Sequence, residues 1–433
     1  MTGRLPAAVA LMVLAAALLA AVVLTTPWSP LPGPVPGGRV VPAAASDFTA
    51  GERAREQAFH RAVRPPAYVG MAAGLVAAAA LGLSPLGARV VAAVARPLGG
   101  GWGWRAVLGG LVVSLIVRLA ALPFDAWSWR VLRRYGLSTQ TAGGWAADQL
   151  RSFGVSAAVL ILVVPAGYAL VRAVPTRWWV GVGVGGAGLV FVGSFLYPVL
   201  VEPVFNRFTP LPAGELRTEL LALASRDGVP VNDVLVADAS RRTTALNAYV
   251  SGFGASRRIV VYDTLLTPPT TPAEVRLVVA HELGHAKRGD VLHGTLIGML
   301  GAGVAGCAGF LVLTWPPLLH RAGVGTLADP ASVALVVLVG SLVTLVATPG
   351  QLLVSRRIEA RADVHALDLT RDPATFVSSF RRLAVANLSD LDPNPVVYGL
   401  FASHPSPPER IALARDWARQ HGQSLTATAA GAP

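Results

Sequence analysis

A chain of 433 residues is too long for one ordinary hydrophobic core, so a soluble protein of this length would need two or three domains. Hydrophobic residues make up 53% and charged residues only 14%, with a mean hydropathy of +0.55; soluble domains carry about 25% charged residues, so much of this surface is built for lipid. The net charge of +12 is spread through the segments between apolar runs, which fits anionic headgroups and the positive-inside rule rather than nucleic acid.

A membrane span needs about 20 mostly apolar residues. Seven stretches qualify in chain order: Leu5–Thr25, Tyr68–Val94, Ala106–Leu122, Val155–Val174, Trp178–Val201, Leu292–Trp315 and Ser332–Val354. The first has Arg4 before it, as a signal peptide would. Its apolar run exceeds the usual h-region of roughly 7–15 residues, so it reads as a retained helix. Arginines crowd alternate connections: five between Gly38 and Pro65, four between Asp125 and Ser152, and more in Glu202–Asp290 and after Ser355. With an odd number of spans, this bias puts the N-terminus outside and both hydrophilic segments on the cytoplasmic side. Lys287 is the sole lysine. With abundant Ala, Gly, Val and Pro, that points to a GC-rich, bacterial source and its cytoplasmic membrane.

Pro27–Gly38 and Gly99–Gly103 read as loops, and Ser424–Pro433 as a frayed tail. Within the hydrophilic segment, Glu215–Asp227 has helical spacing of Leu and Ala. Val234–Ala237 and Arg258–Tyr262 read as strands, with Ala245–Gly252 as a further extended edge. Thr271 followed by Pro272, with Glu274 three residues on, is the signature of an N-cap and capping box. The helix so opened carries V-V-A-H-E-L-G-H, Val278–His285. Histidines four apart lie about 40° apart on one face, so both imidazoles can reach one ion at about 2.0–2.1 Å. Glu282, about 100° round from His281, can take a proton from a water on that ion without ligating it. The plainer reading is two histidines on a polar helix surface, but the capping and the charged flank Lys287, Arg288 and Asp290 favour the metal.

Cys307 is the only cysteine, which excludes an internal disulfide and a cysteine-rich zinc site. A catalytic ion needs three protein ligands. The metzincin continuation would require Gly at 288 and His at 291, which here are Arg288 and Val291. Glu359 and Asp363, four apart on a helix continuing out of the seventh span, offer one carboxylate for the ion and one to orient a ligand histidine. The alternative there is a salt-bridged helix with Arg356, Arg357 and Arg361. His293 lies too far along its helix, His365 reads as a local partner of Asp363, and His60, His320 and His421 as surface residues. His404, in Ser403-His404-Pro405, is held as a transition-state stabiliser would be, or is an exposed loop histidine.

H-E-L-G-H, S-R-R-I-E-A-R-A-D (Ser355–Asp363) and S-H-P-S-P-P-E-R-I (Ser403–Ile411), in this order, resemble the integral-membrane zinc peptidases of the type I CAAX prenyl protease class. Asn247–Leu266 and Pro123–Thr141 are similar to that class as well, so the likeness covers most of the chain from about the third span onward. It implies zinc, one per chain, on His281, His285 and Glu359, with Glu282 as base and Asp363 supporting a ligand histidine. It implies that His404 and Arg410 stabilise the oxyanion or position substrate, and that Asn247, Ala248 and Tyr249 form an edge strand receiving the substrate as an added strand. The fold expected is mainly α: a polytopic membrane protein of about seven transmembrane helices around a chamber, with a small α+β zincin-like (gluzincin) catalytic portion. The division expected is 1–201 for five spans, 202–290 for the H-E-x-x-H segment, 291–355 for two spans, and 356–433 for a catalytic tail. The expected partners are membrane lipids and a polypeptide substrate, membrane-associated or prenylated-like, with no obligate protein partner. The rival function is a non-hydrolytic metal-binding transporter or channel, for which Arg118 inside the third span gives some support. The connection Thr26–Pro66 carries no motif that assigns it a role.

Overall fold

The computed structural model describes residues 3–252, 254, 257–423 and 425. The tail expected to fray, Ser424–Pro433, lies outside them except for Leu425, as do Phe253, Ala255 and Ser256 of the Asn247–Leu266 segment. Among the described residues, seven helices are long and apolar enough to cross a membrane: Arg4–Thr25, Ala50–Gly82, Trp102–Arg134, Ala142–Ala173, Trp178–Phe205, Asp290–Leu313 and Pro330–Thr370. The protein is a multi-pass membrane protein, mainly helical, with one small sheet.

One expected span is not a single helix. Tyr68–Val94 breaks after Gly82, and a separate helix, Pro85–Ala95, begins with Ser84 as N-cap and Pro85 at its first position. The Ser84 hydroxyl accepts from the Leu86 amide (3.3 Å), so the Ser-Pro pair starts a helix in the middle of an apolar run. Conversely, the second helix begins well before Tyr68, at Ala50, where a Thr49–Glu52 capping box fixes its start.

The last long helix matters most for the site. Val333–Thr370 runs unbroken for 38 residues, past Pro349, or about 57 Å at 1.5 Å per residue. A hydrocarbon core is about 30 Å thick, so nearly half the rod projects beyond lipid, and Glu359 and Asp363 ride on that half.

The sheet has order β1-β2-β4-β3, from Phe208–Pro210, Asp233–Ala237, Ala248–Ser251 (β3) and Arg258–Tyr262 (β4). β2 and β4 pair in parallel, and β1 and β3 pair antiparallel to them at the two edges. β1, only three residues and ending in proline, gave no sequence pattern. The sheet and the helices Glu215–Arg226, Pro272–Arg288, Pro373–Ala386 and Pro407–Gln420 enclose one core with Leu220, Ile259, Leu283, Phe376 and Trp417 at its centre. The connection after the first span belongs to this core. Leu31 and Phe48 are buried in it, Val40 donates to Asp416 (2.8 Å), and Arg415 pairs with buried Asp47. Thr26–Pro66 therefore straps the first span to the C-terminal helix.

Candidate metal centre

The helix Pro272–Arg288 starts as its sequence predicts: the Thr271 amide donates to Glu274 (2.8 Å) and the Glu274 amide to the Thr271 hydroxyl (3.3 Å). Its apolar face, Val275, Leu277, Val279, Ala280 and Leu283, is buried, which leaves His281, Glu282 and His285 towards the Glu359 helix. Gly284 permits that approach, since a Cβ there would sit 3.0 Å from the His365 ring. The helix ends at Gly289 in the left-handed region (φ 66°), the usual stop for glycine.

Donor atoms of three residues converge. His281 Nε2 lies 3.3 Å from His285 Nε2 and 3.2 Å from a Glu359 oxygen, and His285 Nε2 lies 3.5 Å from the other Glu359 oxygen. A tetrahedral ion with donor bonds of about 2.0–2.1 Å requires donor–donor edges of about 3.3 Å, and these separations, which reach the two different oxygens of the Glu359 carboxylate, are of that size. The outer ring nitrogens are already engaged: His281 Nδ1 faces Asp363 at 2.9 Å and His285 Nδ1 faces Asp290 at 2.8 Å. A carboxylate on Nδ1 leaves Nε2 with its lone pair inward. Burial disfavours the charged His281 ring, but hydrogen bonds to Asp363 and Glu359 outweigh it and push its pKa up to about 10; the centre is electrostatically prepared for a cation. Burial also pushes the Glu282 carboxyl up, against the pull of His281 and His285. The donor set therefore fits a small tetrahedral metal ion.

The other sequence-predicted residues gather round. His404 Nε2 stands 3.3 Å from a Glu359 oxygen, with over half its side chain exposed. The Arg410 guanidinium donates to fully buried Asp363 (Nε to Oδ2 2.8 Å) and stacks 3.8 Å from the Phe380 centroid. His281, Glu282, His404, Arg410 and Asn247 all line one cavity of about 800 Å3. Ala248 is buried, and the Tyr249 hydroxyl reaches Glu202 (3.4 Å); neither lines that cavity, although both belong to the edge strand β3.

Some expectations about histidines change. His60 is not a surface residue: it is largely buried, meets the Leu388 carbonyl (3.0 Å) and lines the cavity, because the long helix beginning at Ala50 packs against the loop after Asn387. His365 pairs with Asp227 (3.0 Å) rather than Asp363, whereas His320 and His421 are exposed, as expected. Asp290 was legible only as part of a charged helix end, yet it touches a donor histidine. Arg118 pairs with Asp125 and Gln149, which satisfies the charge that favoured a transport path.

Comparison with known proteins shows the family and the fold. Residues 210–418 match peptidase family M48, and residues 70–207 match a region described as CAAX prenyl protease N-terminal, five membrane helices. The chain is 35% identical over 310 residues to the metalloprotease YhfN of Bacillus subtilis, covering 69% of this chain and 71% of that one. It is 31% identical over 309 residues to a CAAX prenyl protease 1 homolog of Arabidopsis thaliana, covering 68% and 69%. The crystal structure of S. mikatae Ste24p is similar in fold, with a TM-score of 0.77 over 94% of this chain and 98% of that chain, at 21% identity.

Proposed function

The chain belongs to peptidase family M48 as a multi-pass membrane metalloendopeptidase, and from that premise we propose that one zinc ion, held by His281, His285 and Glu359, serves the cleavage of membrane-associated polypeptides. The observation that carries this reading is the convergence of two imidazole nitrogens 3.3 Å apart on the Glu359 carboxylate, whose two oxygens lie 3.2 Å from His281 and 3.5 Å from His285. Two imidazoles and a carboxylate suit zinc better than calcium or magnesium, which favour all-oxygen shells. When bound, such an ion acidifies water and polarises the scissile carbonyl.

The protein residues do the rest. Glu282 takes the proton of the attacking water and returns it to the leaving amine. His404, at the exposed side of Glu359, donates to the developing oxyanion. Arg410 holds Asp363, and Asp363 holds His281. Asn247, the residue before β3, stands at the cavity wall, and an extended peptide adds alongside β3. Removing the metal with a chelator should abolish cleavage of a reporter polypeptide by the reconstituted protein, and one equivalent of zinc should restore it. Cleavage that survives complete metal removal would rule the mechanism out. His404→Ala should lower kcat by about 10²-fold with zinc content unchanged; a change confined to KM would instead make His404 a binding residue.

The substrate follows from the surroundings. Tyr68, Leu246, Val278, Leu383, Val397 and Phe401 give the cavity an apolar wall, suited to an apolar or lipid-bearing chain such as the relatives' names indicate. Comparing membranes that express the wild type with membranes expressing an inactive variant would show which polypeptides accumulate; an unchanged membrane proteome would argue against a membrane-bound substrate. We place the N-terminus outside and the catalytic portion in the cytoplasm, which the arginine-rich connections support, and the composition supports a bacterial cell. A C-terminal reporter that is active only outside the membrane would reverse that orientation.

A further inference from the structure

We propose that Asp290, anchored by Arg361, is a positioning residue that fixes the ring and tautomer of His285, so that each imidazole of the metal centre has its own arginine-held carboxylate. This rests on the metallopeptidase reading above. Asp290 divides its two oxygens: Oδ2 lies 2.8 Å from His285 Nδ1, and Oδ1 receives Arg361. Its side chain is only 10% exposed. The arrangement repeats, from different elements, what stands behind the other ring, where Asp363 faces His281 Nδ1 at 2.9 Å and takes Arg410.

The chain path makes the contact possible. Gly289, at φ 66°, ends the helix of His281 and His285, and Asp290 opens the helix Asp290–Leu313. The turn brings the Asp290 carboxylate back beneath a ring five residues earlier. Arg361 comes from the helix of Glu359, two residues beyond that donor. One carboxylate thus touches the helix of both histidines and the helix of the third ligand. With Nδ1–H donated to Asp290, His285 presents only the lone pair of Nε2 to the ion. Without it, the ring is free to rotate and to carry its proton on the inner nitrogen.

A simple cross-tie between helices would not require this carboxylate, because another already serves. Asp227 accepts from Lys287 on the histidine helix (2.6 Å) and meets His365 on the Glu359 helix (3.0 Å). Asp227 is therefore the control. The experiment uses the full-length protein in nanodiscs and compares Asp290→Ala, Asp290→Asn, Arg361→Ala and Asp227→Ala. Zinc affinity is read by chelator competition, and the visible spectrum is read after cobalt replaces zinc.

Asp290→Ala should weaken zinc by about 10–100-fold and shift the cobalt spectrum. Asp290→Asn should recover most of the affinity, since its amide oxygen still accepts from Nδ1–H, and Arg361→Ala should lose less than Asp290→Ala. Asp227→Ala should lower the unfolding temperature with affinity and spectrum unchanged. Wild-type affinity and spectrum in Asp290→Ala would overturn the assignment, as would an equal loss in Asp227→Ala. If Asp290→Ala does not fold, unchanged affinity in both Asp290→Asn and Arg361→Ala overturns it equally. A wild type that binds no metal sinks the metallopeptidase reading and this inference with it; a wild type that binds while the variants match it sinks this inference alone.

Discussion

Replacing Glu282 by glutamine is expected to lower kcat for a polypeptide substrate by about 10²–10⁴-fold while zinc stays bound. Glu282 follows His281 directly, yet it is outside the donor triangle of His281, His285 and Glu359. It lines the cavity and is partly buried. Burial raises its affinity for a proton, and the two histidines temper that rise, which suits a group that must accept a proton and then release it. Glutamine keeps the shape and the hydrogen bonding and loses only the capacity to take the proton. Steady-state cleavage alongside metal analysis separates the outcomes. Cleavage at the wild-type rate would remove Glu282 from the chemistry, whereas loss of zinc would move it to the ligands.

A second large effect is expected at Asp363. Its side chain is fully buried between the His281 ring and the Arg410 guanidinium. Asp363→Ala leaves a mostly buried cation and a ring N–H without their acceptor. Breaking one side of a buried ion pair costs about 3–5 kcal/mol, and losing the carboxylate behind a ligand histidine costs about 10–100-fold in metal affinity. The two effects can be measured apart: unfolding of the chelator-treated protein reports the first, and zinc competition the second. An apo-protein as stable as the wild type would mean that Arg410 finds another acceptor. Asp363→Ala together with Arg410→Met should recover part of the stability, because it removes the orphaned charge, but none of the metal affinity.

What the sequence made legible was local. The Thr271 cap, the H-E-x-x-H helix and the strand Arg258–Tyr262 each declare themselves within a few residues, and the structure has all three. Glu359 is different: it becomes a candidate only because a helix leaving the seventh span must pass near the histidines. Asp290 escaped because its partners, His285 across a glycine turn and Arg361 from another helix, are set by tertiary packing. The strap after the first span escaped for the same reason, since Leu31 and Phe48 gain meaning only against the helix of Trp417. The break at Gly82 was legible in principle through Ser84 and Pro85, but an apolar count over a long window averages a two-residue stop signal away. β1 shows the opposite limit: three residues ending in proline carry too little pattern to mark an edge strand.

The unbroken helix Val333–Thr370 also acts as a ruler. Its apolar run ends at Val354, and Glu359 lies five residues on, about 7.5 Å along the axis. An extended chain covers that distance in two or three residues. If the substrate is a polypeptide held in the bilayer, as proposed, the peptide bonds just beyond its point of emergence are the ones in reach. Selection would then work by distance from the anchor as much as by side-chain identity, with one rigid helix setting the scale.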